Sequence, residues 1–187
     1  GEDPLNNERL WQKIYVPKFI GRRGTSCKTV SAIDIALWDI KAKAAGMPLY
    51  RLLGGAKEKI PCYIAGGYYA KDKGLKELQQ EMLEYKSWGV NAVKMKVGAL
   101  SMKEDAERVK AVREVIGNDT KLMLDANCAY KFFEAIEFSK MVEEYHPYWF
   151  EEPVDADDYD GYRKVAAKCN IPLAAGENEV TRFGFRD

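Results

Sequence analysis

Three carboxylates recur at a fixed interval in the second half of the sequence. Asp125, Glu151 and Glu177 each close a short apolar run, and 26 residues separate each carboxylate from the next. Such an interval leaves room for one strand and one helix, because parallel strands require a crossover connection of a dozen or more residues. The carboxyl ends of parallel strands meet at one edge of a sheet, so the pattern predicts that three carboxylates converge there. Carboxylate oxygens are ligands that a divalent cation prefers.

Apolar runs and helical stripes alternate through the whole of this region. The runs predict five strands, at residues 60–65, 90–97, 121–127, 148–153 and 171–178, joined by four crossover helices. Two architectures suit such a pattern. A doubly wound open sheet would be complete in this length, whereas a (β/α)8 TIM-type barrel uses about 250 residues and would be partial here, with about five of its strands. Convergence of three carboxylates on one ion favours the barrel, because its sheet curves around the ion.

The first part of the chain lacks this alternation. A helix is predicted over residues 5–20 and another from Ser31, with Asp34 completing a capping box, to Ala44. The stretch 21–24 between them is predicted to be a surface turn and not a phosphate cradle, because no G-x-G-x-x-G pattern follows a strand. We therefore expect a domain boundary near residue 58, with domains at residues 1–58 and 59–187.

Composition excludes several classes of function. Lysine plus arginine equal aspartate plus glutamate at 29 each, so no net field attracts nucleic acid or an anionic membrane. The four cysteines form no Cys-x-x-Cys pair, which argues against a zinc site and a disulfide framework and predicts a cytoplasmic protein. No apolar run approaches the roughly 18 residues of a membrane span. The single histidine, His146, precedes the fourth strand, so a Ser-His-Asp or Cys-His site is not expected.

Two lysines are predicted to lie beside the first carboxylate. Lys94 and Lys96 share one face of the second strand, and Lys96 precedes Asp125 by 29 residues, about one strand and one helix. Asn127 shares a face with Asp125 on the next strand. These side chains should therefore meet at the rim where α/β proteins bind ligands.

The fourth strand leaves one choice of carboxylate open. Glu151 and Glu152 are adjacent, and alternation places them on opposite faces. The 26-residue interval selects Glu151 as the ligand. Cys128 follows closely on the third strand, but no activating base is near it in the sequence, so we expect no role for its thiol.

This combination of groups suits proton abstraction from a carbon next to a carboxylate. A hard cation, which we expect to be Mg²⁺, would bind the carboxylate of an organic acid and stabilise the enolate that forms. Lys96 is predicted to take the proton. Lys94 would lower the pKa of Lys96 and donate to the substrate carboxylate, while Asn127 would orient the substrate or the base.

Several motifs together resemble the enolase superfamily, in particular its mandelate racemase/muconate lactonizing enzyme group. The segment Val93-Lys94-Met95-Lys96-Val97-Gly98 resembles the lysine-x-lysine base motif of that family. The segment Ala32-Ile33-Asp34-Ile35-Ala36-Leu37-Trp38-Asp39 resembles the sequence that leads from its capping domain into its barrel. Asp125, Glu151 and Glu177 fall where the family has its three magnesium ligands.

The resemblance implies a carbon–oxygen lyase that removes water from a sugar acid, an aldonate or an aldarate. Residues 1–58 would be the remnant of a capping domain, and the second acid/base, a histidine paired with an aspartate, would lie beyond Asp187. The chain would then be an internal piece of a longer, homo-oligomeric enzyme. Alternatives are a racemase or epimerase of a 2-hydroxy acid, and a non-catalytic metal-binding or scaffold fragment.

Overall fold

The computed structural model of the protein describes residues 1–21 and 24–186. Arg22 and Arg23, in the predicted surface turn, and Asp187 lie outside the described residues. The chain divides into two compact units, one comprising Gly1–Ile60 with Glu179–Asp187 and the other comprising Pro61–Asn178.

The first unit is helical in its described part. Its helices are α1 (Asn7–Ile14), α2 (Pro17–Ile20), α3 (Thr25–Ala44), α4 (Leu49–Leu52) and α9 (Thr181–Arg186). Helix α3 packs against α1 and α4, and it buries Cys27, Val30 and Ala42. Within residues 1–21 and 24–186, no helix has the length and apolar character that crossing a membrane requires.

Helix α3 begins earlier than the sequence pattern predicted. The predicted start at Ser31 is wrong, because the helix starts at Thr25, directly after Gly24, which has a non-helical φ of 99°. Residues 25–30 contain neither glycine nor proline, so nothing there interrupts the helical hydrogen bonds. A Ser-x-x-Asp spacing can therefore also occur inside a helix.

The helix predicted over residues 5–20 is two helices in the structure, α1 and α2. The break falls before Pro17, because the residue that precedes a proline disfavours helical backbone.

The second unit consists of alternating strands and helices, as the sequence predicted. Its elements are β1 (Ile64–Gly66), α5 (Leu75–Ser87), β2 (Ala92–Lys96), α6 (Met102–Ile116), β3 (Lys121–Asp125), α7 (Phe132–Val142), a 3-10 turn (Glu143–Tyr145), β4 (Trp149–Glu151), α8 (Tyr159–Ala166) and β5 (Leu173–Ala174). All neighbouring strands are parallel, and their order in the sheet is β1-β2-β3-β4-β5.

A single hydrophobic core forms between the helices and one face of this sheet. The strands contribute Val93, Met95, Leu122, Leu124 and Phe150, and the helices contribute Leu78, Met82, Val109, Val112, Ile116, Ala135, Phe138, Val142 and Val165. Because α5 to α8 all pack against the same face, the sheet is not doubly wound, an arrangement that places helices on both faces. The predicted partial (β/α)8 barrel is confirmed. The opposite face carries Lys94, Lys96, Asp125 and Glu151.

The first and last strands are shorter than predicted. Strand β1 begins at Ile64 and not at Ile60, which is 80% exposed, because its pairing with β2 starts at Ile64 and Val93. Strand β5 is only two residues long. It pairs with only two residues of β4, Phe150 and Glu151. Gly176, which has a φ of 127°, then turns the chain away from the sheet.

A half-buried acid, Glu81, links the residue after β1 to α5 and makes the stability of the fold depend on pH. The side chain of Glu81 accepts hydrogen bonds from Tyr85 Oη at 2.8 Å and from the backbone N–H of Gly67 at 3.1 Å, and it pairs with Lys73. Burial raises the pKa of Glu81, but the bonds from Lys73, Tyr85 and Gly67 outweigh burial and lower it. Its carboxylate therefore stabilises the fold above its unfolded-state pKa of about 4.3.

We expect Glu81→Gln to flatten the acid limb of the stability curve. The stabilisation from Glu81 is lost as the pH falls through its folded-state pKa, so the variant should lose stability at neutral pH and approach the wild type in acid. Urea unfolding across the acid range measures this. Glu84→Gln, an exposed acid on the same helix, is the control. Parallel curves for wild type and Glu81→Gln would contradict the assignment.

Candidate metal centre

Strand register brings the predicted site residues together at one rim of the sheet. Lys96 lies opposite Asp125 in the β2–β3 pair, and Asp125 lies opposite Glu151 in the β3–β4 pair. Parallel strands in this register point equivalent side chains to the same face. Lys96, Asp125 and Glu151 therefore form one row across the carboxyl ends of β2, β3 and β4.

Three carboxylates form a cluster at this rim. Asp125, Glu151 and Glu177 each offer one oxygen, and these oxygens lie within 4.8 Å of one another. Two oxygens bound to one Mg²⁺ at about 2.1 Å can be at most about 4.2 Å apart, so small side-chain rotations would bring the cluster to binding distance. A donor set made only of oxygen suits a hard divalent cation. The cluster can therefore hold a metal ion.

Asp125 is the most enclosed member of the cluster. Its side chain is fully buried, and Oδ2 accepts hydrogen bonds from Lys96 Nζ at 2.7 Å and pairs with Lys94 Nζ at 3.0 Å. Oδ1 accepts the backbone N–H of Asn127 at 3.1 Å. Burial raises the pKa of Asp125, but the bonds from Lys96, Lys94 and Asn127 outweigh burial and lower it. Asp125 is thus held as a carboxylate, the form that binds metal.

Lys94 links two of the carboxylates. Its Nζ lies 2.8 Å from Glu151 Oε1 and 3.0 Å from Asp125 Oδ2. Burial lowers the pKa of Lys94, but its bonds to Glu151 and Asp125 outweigh burial and raise it. The ammonium group of Lys94 is therefore held in its charged form between the two acids.

Asn127 connects the lysine pair to the third carboxylate. Its Oδ1 accepts a hydrogen bond from Lys96 Nζ at 2.6 Å, and its Nδ2 donates to Glu177 Oε1 at 3.3 Å. Its backbone has a φ of 42°, in the left-handed region, just after β3 ends. This turn directs the amide toward both neighbours. The site residues predicted on β2 to β5 therefore form one connected group.

The structure separates Glu151, the last residue of β4, from Glu152, which follows the strand and has a left-handed backbone with a φ of 41°. Glu151 lies in the acidic cluster, while Glu152 is 1% exposed on the other side of the chain. Glu152 Oε1 accepts from Asn178 Nδ2 at 2.8 Å, and Oε2 accepts from Cys128 Sγ at 3.6 Å. Glu152 thus connects the loops that follow β3 and β5.

Three aromatic residues at the site were not anticipated from the sequence. Trp149 Nε1 donates to Glu151 Oε2 at 3.0 Å, so both oxygens of that carboxylate have donors. The rings of Tyr63 and Tyr68 lie 5.5 and 5.6 Å from the ammonium groups of Lys94 and Lys96. Trp149 is two residues before Glu151 on the same strand, so alternation could have placed it on the site face.

Cys128 and His146, for which the sequence predicted no catalytic role, lie in positions that agree with that prediction. Burial and the neighbouring charge of Glu152 raise the pKa of Cys128 to about 11, so its thiol stays protonated and is a poor nucleophile. His146 follows the 3-10 turn and precedes β4, at the end of the strands opposite the cluster.

The charges of the cluster define what it can bind. Three carboxylates and two ammonium groups give a formal charge of −1. A divalent cation would change that charge to +1 and so create a site for a negatively charged ligand. Lysine nitrogens next to the bound ligand could then accept or donate protons.

Two protein-family models match the sequence of the chain. Residues 77–187 match the family described as enolase C-terminal domain-like. The chain belongs to the enolase superfamily. Residues 1–54 of this enolase-superfamily chain match the mandelate racemase/muconate lactonizing enzyme N-terminal domain. The resemblance drawn from the lysine and carboxylate motifs is therefore confirmed.

Relatives within the superfamily act on, or are solved with, sugar-acid compounds. Arabinonate dehydratase of Saccharolobus solfataricus is 43% identical over 98% of this chain and 50% of its own length. The crystal structure of the 3,6-anhydro-D-galactonate cycloisomerase of Zobellia galactanivorans has a TM-score of 0.92 at 41% identity, covering 100% of this chain and 52% of that one.

A third relative was solved with a metal ion and a ligand. The L-talarate/galactarate dehydratase of Salmonella typhimurium, with Mg and L-lyxarohydroxamate, has a TM-score of 0.86 at 36% identity, over 95% of this chain and 45% of that one. This enolase-superfamily chain therefore spans about half the length of the relatives it matches.

We expect Glu151→Gln to weaken Mg²⁺ binding by about tenfold or more, because an amide cannot supply the charge of a carboxylate ligand. Isothermal titration of the apo protein with Mg²⁺ measures the affinity. Glu144→Gln removes an exposed carboxylate at the other end of β4 and should leave the affinity unchanged. Equal affinities for wild type and Glu151→Gln would exclude Glu151 as a ligand.

Proposed function

We propose that the protein carrying this chain is a magnesium-dependent dehydratase of a sugar acid, an aldonate or an aldarate. One observation carries the proposal: Lys96 Nζ lies 2.7 Å from Asp125 Oδ2 in the acidic cluster. A candidate base and a candidate metal ligand are thus in direct contact. Abstraction of a proton next to a carboxylate needs both within reach of one small substrate.

Asp125, Glu151 and Glu177 are the proposed ligands of the Mg²⁺. When bound, the ion would attract the substrate carboxylate and stabilise the negative charge that develops on it. The buried position of Asp125 and the donors around Glu151 would hold two of the ligands in place. The exposed Glu177 would be the ligand with the most freedom to move.

Lys96 is the proposed base. Its Nζ takes the α-proton while the electron pair of the C–H bond moves toward the carboxylate. A hydroxyl on the next carbon then leaves as water, with its proton supplied by a second acid/base, such as the histidine that the family resemblance implies. Lys94, which its carboxylate partners keep charged, donates to the substrate carboxylate and does not take the proton. Asn127, which bonds Lys96 Nζ, orients the base.

Racemisation is the alternative within the same chemistry. It uses the same proton abstraction and returns the proton to the opposite face of the carbon. The relatives named as dehydratases support loss of water. A metal-binding scaffold without turnover is the alternative from another class.

The domain division and the cellular setting remain proposals. We propose that residues 1–58 end a capping domain and that residues 59–187 begin the barrel. Four free cysteines are compatible with a reducing cytoplasm. The homo-oligomeric state stays a prediction.

We expect Lys96→Met to abolish exchange of the α-proton with solvent deuterium, because a thioether cannot accept a proton. Proton NMR of aldonates and aldarates in D₂O with Mg²⁺ measures the exchange and also distinguishes a dehydrated product from an epimer. Lys121→Met, at the opposite end of β3, should leave the exchange rate unchanged. Exchange by Lys96→Met at the wild-type rate would contradict the base assignment. Absence of exchange in the wild type on every acid would favour the scaffold.

A further inference from the structure

A buried ion pair on α6 lies directly behind the lysine motif. Arg108 Nη1 is 2.9 Å from Asp105 Oδ1, and the two residues are 8% and 0% exposed. A buried pair of charges gains little from its mutual attraction unless further hydrogen bonds satisfy it. The partners of this pair therefore indicate what it holds in place.

Arg108 joins the ends of β1 and β2. Its Nη1 donates to the backbone carbonyl of Lys96 at 2.9 Å, and its Nη2 donates to that of Gly67 at 2.7 Å. The β1–β2 ladder ends one residue earlier, at Gly66 and Met95. The backbone at Gly67, with a φ of 62°, turns away at this point. The guanidinium fork thus occupies the place of the next rung between the two strands.

Asp105 holds the backbone on the other side of Lys96. Its Oδ2 accepts the backbone N–H of Gly98 at 2.7 Å and that of Leu100 at 3.4 Å. Its Oδ1 accepts Tyr69 Oη at 2.7 Å. The pair therefore fixes residues 96–100 from both sides, together with the loop that follows β1.

The position of this backbone determines where the Lys96 side chain can reach. A Cβ added at Gly98 would lie 2.5 Å from Ala129 Cβ, so this backbone passes closely against the loop that carries Asn127. Lys96 Nζ reaches Asn127 Oδ1 at 2.6 Å and Asp125 Oδ2 at 2.7 Å. Displacement of the backbone at residues 96–98 would change both distances.

We propose that Asp105 and Arg108 are positioning residues that hold Lys96 at the candidate metal centre. Their hydrogen bonds go to the backbone of Lys96, Gly98 and Leu100 and not to the side chains of the acidic cluster, so they act through the backbone at the end of β2. The catalytic consequence of this placement rests on the proposed function of Lys96 as the base. The placement itself does not depend on that function.

The same helix supplies a matched control. Arg113 is 9% exposed and, like Arg108, donates to backbone carbonyls. Its partners are the carbonyls of Gly117, Thr120, Tyr145 and His146. Those partners lie at the amino-terminal ends of the strands, away from the site. Loss of either guanidinium should lower stability, but only loss of Arg108 should disturb Lys96.

The experiment compares Arg108→Lys with Arg113→Lys. A lysine keeps the charge, but its single ammonium group cannot reproduce the planar fork that bridges two carbonyls. In Arg108→Lys we expect kcat for α-proton exchange to fall by about tenfold or more with KM nearly unchanged. In Arg113→Lys we expect wild-type kcat and KM, although thermal unfolding should show lower stability in both variants.

A second readout does not require activity. NMR of ¹⁵N-lysine-labelled protein reports the Lys96 ammonium signal, which is assigned by its disappearance in Lys96→Met. The signal should shift or broaden in Arg108→Lys and stay in place in Arg113→Lys. If Arg108→Lys does not fold, Asp105→Asn, which keeps the size of the side chain and removes its charge, replaces it.

The outcomes separate the two proposals. An unchanged Lys96 signal in Arg108→Lys, or an equal change in Arg113→Lys, would overturn the positioning role. If wild-type protein exchanges no α-proton on any sugar acid, the proposed function fails. The NMR comparison then decides the positioning role alone.

Discussion

The buried carboxylate of Asp125 is the interaction on which the site depends. One of its oxygens is shared by the ammonium groups of Lys94 and Lys96, at 3.0 and 2.7 Å. A carboxylate so enclosed is stable only because it is paired and hydrogen-bonded. It therefore fixes two lysines, a neighbouring strand and the adjacent loop relative to one another. Glu151 and Asn127 then extend this group across the rim.

The two faces of the sheet have different roles in building this group. One face is apolar and packs against α5 to α8, which provides the stability. The other face carries charged residues at the carboxyl ends of the strands, where Lys94 and Asp125 are buried but paired with each other. Two buried arginines of helix α6 donate hydrogen bonds to backbone carbonyls at the two ends of the strands. Arg108 holds the rim that carries the site, and Arg113 holds the turns at the opposite end.

Much of this arrangement could be predicted from the sequence because it depends on periodicity. Strand alternation and the 26-residue interval place Lys96, Asp125 and Glu151 on one face, and the register of β2, β3 and β4 agrees. Features that depend on loop conformation could not be predicted. The left-handed backbone at Glu152 that buries its carboxylate has no signature in a non-glycine residue. Likewise, nothing in the local sequence of α6 indicates that Arg108 contacts the carbonyls of two strands.

The most direct test of the account is anomalous X-ray diffraction from a crystal of the protein grown with Mn²⁺ in place of Mg²⁺. The account predicts one anomalous peak between the carboxylates of Asp125, Glu151 and Glu177, next to the ammonium groups of Lys94 and Lys96. A peak at other residues, or ordered carboxylates with no peak at saturating Mn²⁺, would contradict it.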